Sequence, residues 1–169
     1  MDEYFKFPES NRPMELVYGY VREPPMPSFG HGIVFVRVMG LLDSHVRARN
    51  LGKVCVADVV LDREAALVVQ PDILFISTDR LGIADERVWG APDLVVEIAS
   101  PSTEYHDRTL KLAWYKRYGV KECWLVYPKD QRIDVVDCSN ETKETFSGDA
   151  VVRSRVLPEL PLRAGECFQ

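Results

Sequence analysis

Nothing in this chain of 169 residues approaches the ~20 consecutive apolar residues that span a bilayer. Its N-terminus, MDEYFKFPES, lacks the basic start and apolar core of a secretory signal, so the expected location is the cytoplasm. The four cysteines, Cys55, Cys123, Cys138 and Cys167, are scattered. They form no C-x-x-C pair and have no histidine at finger spacing, which argues against structural zinc and against a disulfide framework. Basic charge is in deficit too: the net charge is −5, with no bulk signature of nucleic-acid binding. That count reports neither local patches nor a cation held by clustered acids. Histidine is limited to three residues, so Ser100 and Ser102 have only the isolated His106 nearby and acyl transfer is a poor reading. Repeats, low-complexity tracts and linkers are absent, and 1–169 reads as one domain with a sizeable core.

What is present is a globular composition, 46% hydrophobic and 28% charged, patterned in alternating and helical segments. ELVYGYVRE (15–23) reads as a hairpin turning at Tyr18-Gly19. A Pro-rich loop follows, then a long helix from Ser28 to about Asn50, with Leu51-Gly52 as its stop. Strands are expected at 54–61, 65–70, 73–77 and 93–99, with a polar loop at 78–91. Ser102 or Thr103 would cap a second helix, with Glu104 in its first turn, and Gly119 would end it. A hairpin at 122–127 and 132–137 and weaker strands near 142–147 and 150–156 complete the chain. The fold class is α/β or α+β: one mixed central sheet, two main flanking helices and extra β-hairpins.

The most informative stretch is PDLVVEIASPSTEYHDRTLK, from Pro92 to Lys111. Alternation puts Asp93, Val95, Glu97 and Ala99 on one face of a strand and Leu94, Val96 and Ile98 on the other. Glu97 thus sits inside a buried run, where a carboxylate is costly unless paired or bound to a metal. Asp72 opens the preceding strand, and if the two strands are neighbours it converges with Glu97 at the sheet's edge. Two acids, a main-chain carbonyl and water suit Mg²⁺, which would acidify a water for attack on phosphorus. The plainer alternative is that Asp72 and Asp93 follow prolines and merely shape turns; it leaves Glu97 unexplained. On the following helix Asp107, Lys111, Trp114 and Tyr118 share an arc at 100° per residue, turning Lys111 toward the sheet. An Asp107–Lys111 pair at i,i+4 is the competing reading of that lysine.

Taken in order, Glu15-Leu-Val, Gln70-Pro-Asp72, Pro92-Asp-Leu-Val-Val-Glu97, Ser100-Pro-Ser-Thr103, Asp107…Lys111…Tyr115 and Glu122-Cys-Trp-Leu-Val resemble the Uma-type restriction endonuclease branch of the PD-(D/E)xK nuclease superfamily. The likeness runs from about residue 4 to the C-terminus. It implies a restriction-endonuclease-like core and a Mg²⁺-dependent DNA endonuclease, with Mn²⁺ able to substitute. Asp72 and Glu97 would be metal ligands, with the Ile98 carbonyl a third, and Glu15 a further ligand or a base for water. The lysine that the superfamily places two residues after the acid is here Ala99, and Lys111 on the next helix is assigned its role. Tyr127 departs from the acidic residue of relatives. Asp93, Asp107 and His31 are supporting positions, His31 for packing or capping. DNA is the implied partner, and a homodimer suits cutting both strands. The competing readings are a catalytically silent nucleic-acid-binding or assembly domain that retains the fold, and a phosphodiesterase of small nucleotides.

Overall fold

The computed structural model describes residues 1, 3–6, 13–100 and 106–169, with side chains in the last segment from 109 onward. Among the described residues, two sheets and two α-helices make up most of the architecture. Strands β1 (Glu15–Val17) and β2 (Tyr20–Arg22) form the expected hairpin, and α1 spans Phe29–Arg49. There follow β3 (Gly52–Cys55), β4 (Val59–Asp62), β5 (Leu67–Val69), β6 (Ile73–Ser77), β7 (Val88–Trp89) and β8 (Leu94–Ile98). A π-helical turn, His106–Lys111, leads into α2 (Leu112–Tyr118), and β9 (Glu122–Tyr127), β10 (Arg132–Asp137) and β11 (Thr142–Ser147) close the series. The six-stranded sheet has the order β11-β10-β9-β8-β6-β3, and a five-stranded sheet the order β2-β1-β5-β4-β7. The mixed α+β class is as expected, but two sheets replace the single central one.

The division falls within the expected strand at 54–61. Its first half pairs with β6, and Val59–Asp62 crosses to the other sheet beside β5 and β7. Residues 78–91 hold a 3₁₀ helix and the short β7, while 150–156 keeps only an isolated bridge from Val151 to Arg163. The stop of α1 is Asn50, left-handed at φ 54, whose amide donates to the carbonyls of Arg47 and Val46. Gly52 instead begins β3, at φ 155, where an added Cβ would lie 2.0 Å from the Ile76 carbonyl oxygen. The expected caps Ser102, Thr103 and Glu104 lie outside the described residues.

Alternation along β6 and β8 separates two cores. Ile73, Phe75, Leu94, Val96 and Ile98 pack against Val34, Val38, Leu42 and Val46 of α1. Leu74, Ile76 and Val95 face the opposite way, toward Trp114 and Tyr115 of α2 and toward Val59, Leu67 and Val69 of the second sheet. Glu97 shares the face of Val95, so its side chain enters the space between the two sheets. Both β6 and β8 are interior strands, paired antiparallel with Ile73 opposite Val96. Asp72 therefore approaches Glu97 at strand ends in the middle of the sheet, rather than at its edge.

Candidate active site

Four charged side chains interlock where β1, β8 and α2 meet. Lys111 Nζ lies 2.9 and 3.0 Å from the two oxygens of Glu97 and 3.0 Å from Glu15 Oε1, and it donates to the Gln70 carbonyl at 3.0 Å. Arg22 Nη1 lies 3.0 Å from the other oxygen of Glu15. Glu15, Glu97 and Lys111 are only 1, 3 and 4% exposed. Two carboxylates, one ammonium and one guanidinium sum to zero, which is the condition under which charges can be buried. The Asp107–Lys111 alternative is not needed to explain where the ammonium goes; the side chain of Asp107 lies outside the described residues.

Local structure explains each placement. A two-residue hairpin turn at Tyr18-Gly19 sets Glu15 opposite Arg22 in register. Gln70, just after β5, donates its amide to Glu15 Oε1 at 3.3 Å, and its side chain bridges the Met14 amide and Asp58. Past the π turn, Lys111, Trp114 and Tyr115 stand at i, i+3 and i+4 and form the buried side, with Tyr118 only half-buried. Tyr115, fully buried, donates its hydroxyl to Glu97 Oε1. Burial, then the Glu97 charge and the hydrogen bond to it, hold that phenol well above its ordinary pKa, so it stays a donor. Tyr115, Arg22 and Gln70 were not assigned roles by sequence reasoning. Two of them were readable: Tyr115 follows Lys111 by four residues on a helix, and Arg22 is the hairpin mate of Glu15.

Asp72 stands beside this neutral cluster as the surplus negative charge, with a quarter of its side chain exposed. Its Oδ2 accepts the Ile98 amide at 2.6 Å, which brings the backbone of Ile98 against it. His31 Nε2 lies 3.2 Å from Oδ1. The amide of His31 donates to Ser28, the N-cap of α1, so His31 combines the expected place at the helix start with a contact to Asp72. Asp93 is not brought to the site. Its carboxylate binds the amide and hydroxyl of Ser77 and the cations of Arg80 and Lys121. Four residues separate it from Glu97, about 13 Å of strand. Burial alone would raise its pKa; hydrogen bonds from Lys121, Ser77 and Arg80 more than offset that and lower it to about 2.

Among the described residues, no three His, Cys, Asp or Glu side chains gather into a group able to hold a metal ion. The donors that are present are of the hard kind: the open Asp72 carboxylate, Glu97 and main-chain oxygen. Lys111 reaches both oxygens of Glu97, and Tyr115 donates to its Oε1. In donor chemistry the set fits a divalent cation that keeps water in its remaining positions.

Comparison with known proteins agrees with this architecture. A structure from Anabaena variabilis, named as a putative nuclease belonging to DUF820, superposes with a TM-score of 0.86 at 23% identity, over 99% of this chain and 96% of that one. No curated protein matches. Among the described residues no helix is long and apolar enough to cross a membrane. The model of the Uma2 family, whose description is "Putative restriction endonuclease", matches residues 1–165, and the chain belongs to that family.

Proposed function

We propose that this protein is a Mg²⁺-dependent DNA endonuclease that hydrolyses phosphodiester bonds at Asp72, Glu97 and Lys111. The observation that carries the proposal is the buried Glu15–Lys111–Glu97 cluster set against the open carboxylate of Asp72. A lysine fixed against Glu97, with Asp72 just before the neighbouring strand, meets the needs of phosphoryl chemistry: a cation binder next to a cation. Asp72, Glu97 and the Ile98 carbonyl would hold the metal. When bound it would lower the pKa of a water and neutralise charge on the leaving oxygen.

The chain's own residues supply the rest. Glu15 and Glu97 hold the Lys111 ammonium in place, so that its positive charge can stabilise a phosphate oxygen as negative charge grows there. Tyr115 holds Glu97 in place through its hydroxyl. Arg22 balances the charge of Glu15 beside the site. A DNA substrate and a cytoplasmic location follow from this reading, and Mn²⁺ should replace Mg²⁺.

The test is nicking of supercoiled plasmid in Mg²⁺ by wild type, Glu97→Ala, Lys111→Ala and Asp72→Asn. Wild type should cut and each variant should lose at least about 100-fold in rate, the size typical of removing one charge-stabilising group. If wild type cuts no faster than the variants, the assignment fails. Hydrolysis of model diesters without cutting of DNA would instead indicate a small-nucleotide phosphodiesterase.

A further inference from the structure

Helix α1 is apolar on two opposite sides. Val34, Val38, Leu42 and Val46 form the inner stripe against the sheet. On the outer side Phe29, Ile33 and Val36 are 86, 46 and 68% exposed, with Gly40 continuing the line. Their spacing of four, three and four residues is that of a coiled-coil seam, two positions per heptad. An ordinary surface helix carries polar residues there. Gly40 weakens the helix relative to alanine, and an added Cβ would meet nothing within 4 Å, so no packing inside the protein requires it. At the next two seam positions stand Asp43 and Arg47, paired with each other at 2.8 Å. They close the apolar part of the stripe with a self-satisfied ion pair.

This seam is self-complementary. Laid antiparallel on itself, Phe29 covers the Gly40 of a second copy while Ile33 meets Val36, and the two-fold axis repeats both contacts. The largest side chain thus falls on the smallest, and no like charges meet within the apolar layers. We propose that the outer face of α1 is a homodimer interface, with two α1 helices packed antiparallel about a two-fold axis near residues 34 and 35. The three apolar side chains offer on the order of 400 Å² per protomer, against about 800 Å² for a standard stable interface. The dimer is accordingly concentration-dependent, with a dissociation constant in the micromolar range or weaker. His31 lies on the inner side of the same helix, where it contacts Asp72, so the dimer relates the two candidate sites by the same axis.

Sedimentation equilibrium of the full chain across a concentration series tests this without reference to activity. Wild type should show a reversible monomer–dimer equilibrium. Val36→Glu and Phe29→Glu, both at exposed positions, should weaken it at least tenfold while leaving the thermal unfolding of the dilute monomer unchanged. The double variant Ile33→Cys/Val36→Cys should cross-link into covalent dimers under oxidation. A wild type that stays monomeric up to about 1 mM overturns the proposal, as does a dimer that survives both charge substitutions.

Discussion

Replacing Lys111 with methionine removes a cation that Glu15 and Glu97 share. Both carboxylates lie within 3.0 Å of its Nζ and are almost fully buried. Their facing oxygens are therefore no more than about 6 Å apart, where two negative charges at an effective dielectric of about 20 repel by about 3 kcal/mol. Loss of one partner from a buried ion pair typically costs 3–5 kcal/mol. A ceiling comes from the proton: a glutamate with an ordinary pKa of about 4.3 can be neutralised at pH 7 for about 4 kcal/mol. Lys111→Met should thus destabilise the fold by about 3–4 kcal/mol at pH 7, a fall in melting temperature of about 6–16 °C for a chain of this size. In the variant the folded-state pKa of a buried glutamate lies above its unfolded value. Its deficit is greatest above that folded pKa and shrinks as pH falls, to about 1 kcal/mol at pH 5. Thermal unfolding followed by circular dichroism at both pH values measures this. A variant as stable as wild type at pH 7, or one whose deficit is the same at pH 5, would refute the reasoning.

Two further outcomes concern neighbouring groups. Tyr115→Phe removes one hydrogen bond to a charged acceptor and should cost about 1.5–3 kcal/mol by urea unfolding; because the phenol stays protonated, this loss should not vary between pH 6 and 9. Asp93, with its pKa lowered to about 2 in the fold, holds stability that is complete above its unfolded pKa and is lost as pH falls through 2. Its share is about 2 kcal/mol. Urea midpoints of wild type and Asp93→Asn should differ clearly at pH 6 and converge toward pH 2, while plasmid cleavage at pH 7 depends on Asp93 only through folding.

The strand alternation of PDLVVEIAS was legible because a period of two admits no other phase once Leu94, Val96 and Ile98 must be buried. It turned Glu97 into the gap between two layers, and the Ile73–Val96 register brought Asp72 to its side. Lys111 was legible as the inward side of a helix. Its partner Tyr115 was legible too, because it follows Lys111 by four residues, about one helical turn. Asp93 looked equivalent to Glu97 by face, but face says nothing of the distance along the strand. The split at residues 56–58 was hidden as well: a run of valines fits either sheet, and only long-range pairing decides which. The outer stripe of α1 read as part of one continuous helical pattern, since apolar residues on two sides blur a periodic signal.

The proposed hydrolysis depends on a divalent cation held between Asp72 and Glu97. Anomalous diffraction from crystals soaked in Mn²⁺ tests it most directly. A single strong peak is expected within metal–oxygen bonding distance of a carboxylate oxygen of Asp72 and of one of Glu97, with Lys111 still against Glu97. No peak there, or a peak only at the carboxylates of Asp93 and Asp137 at the far end of the sheet, would contradict it.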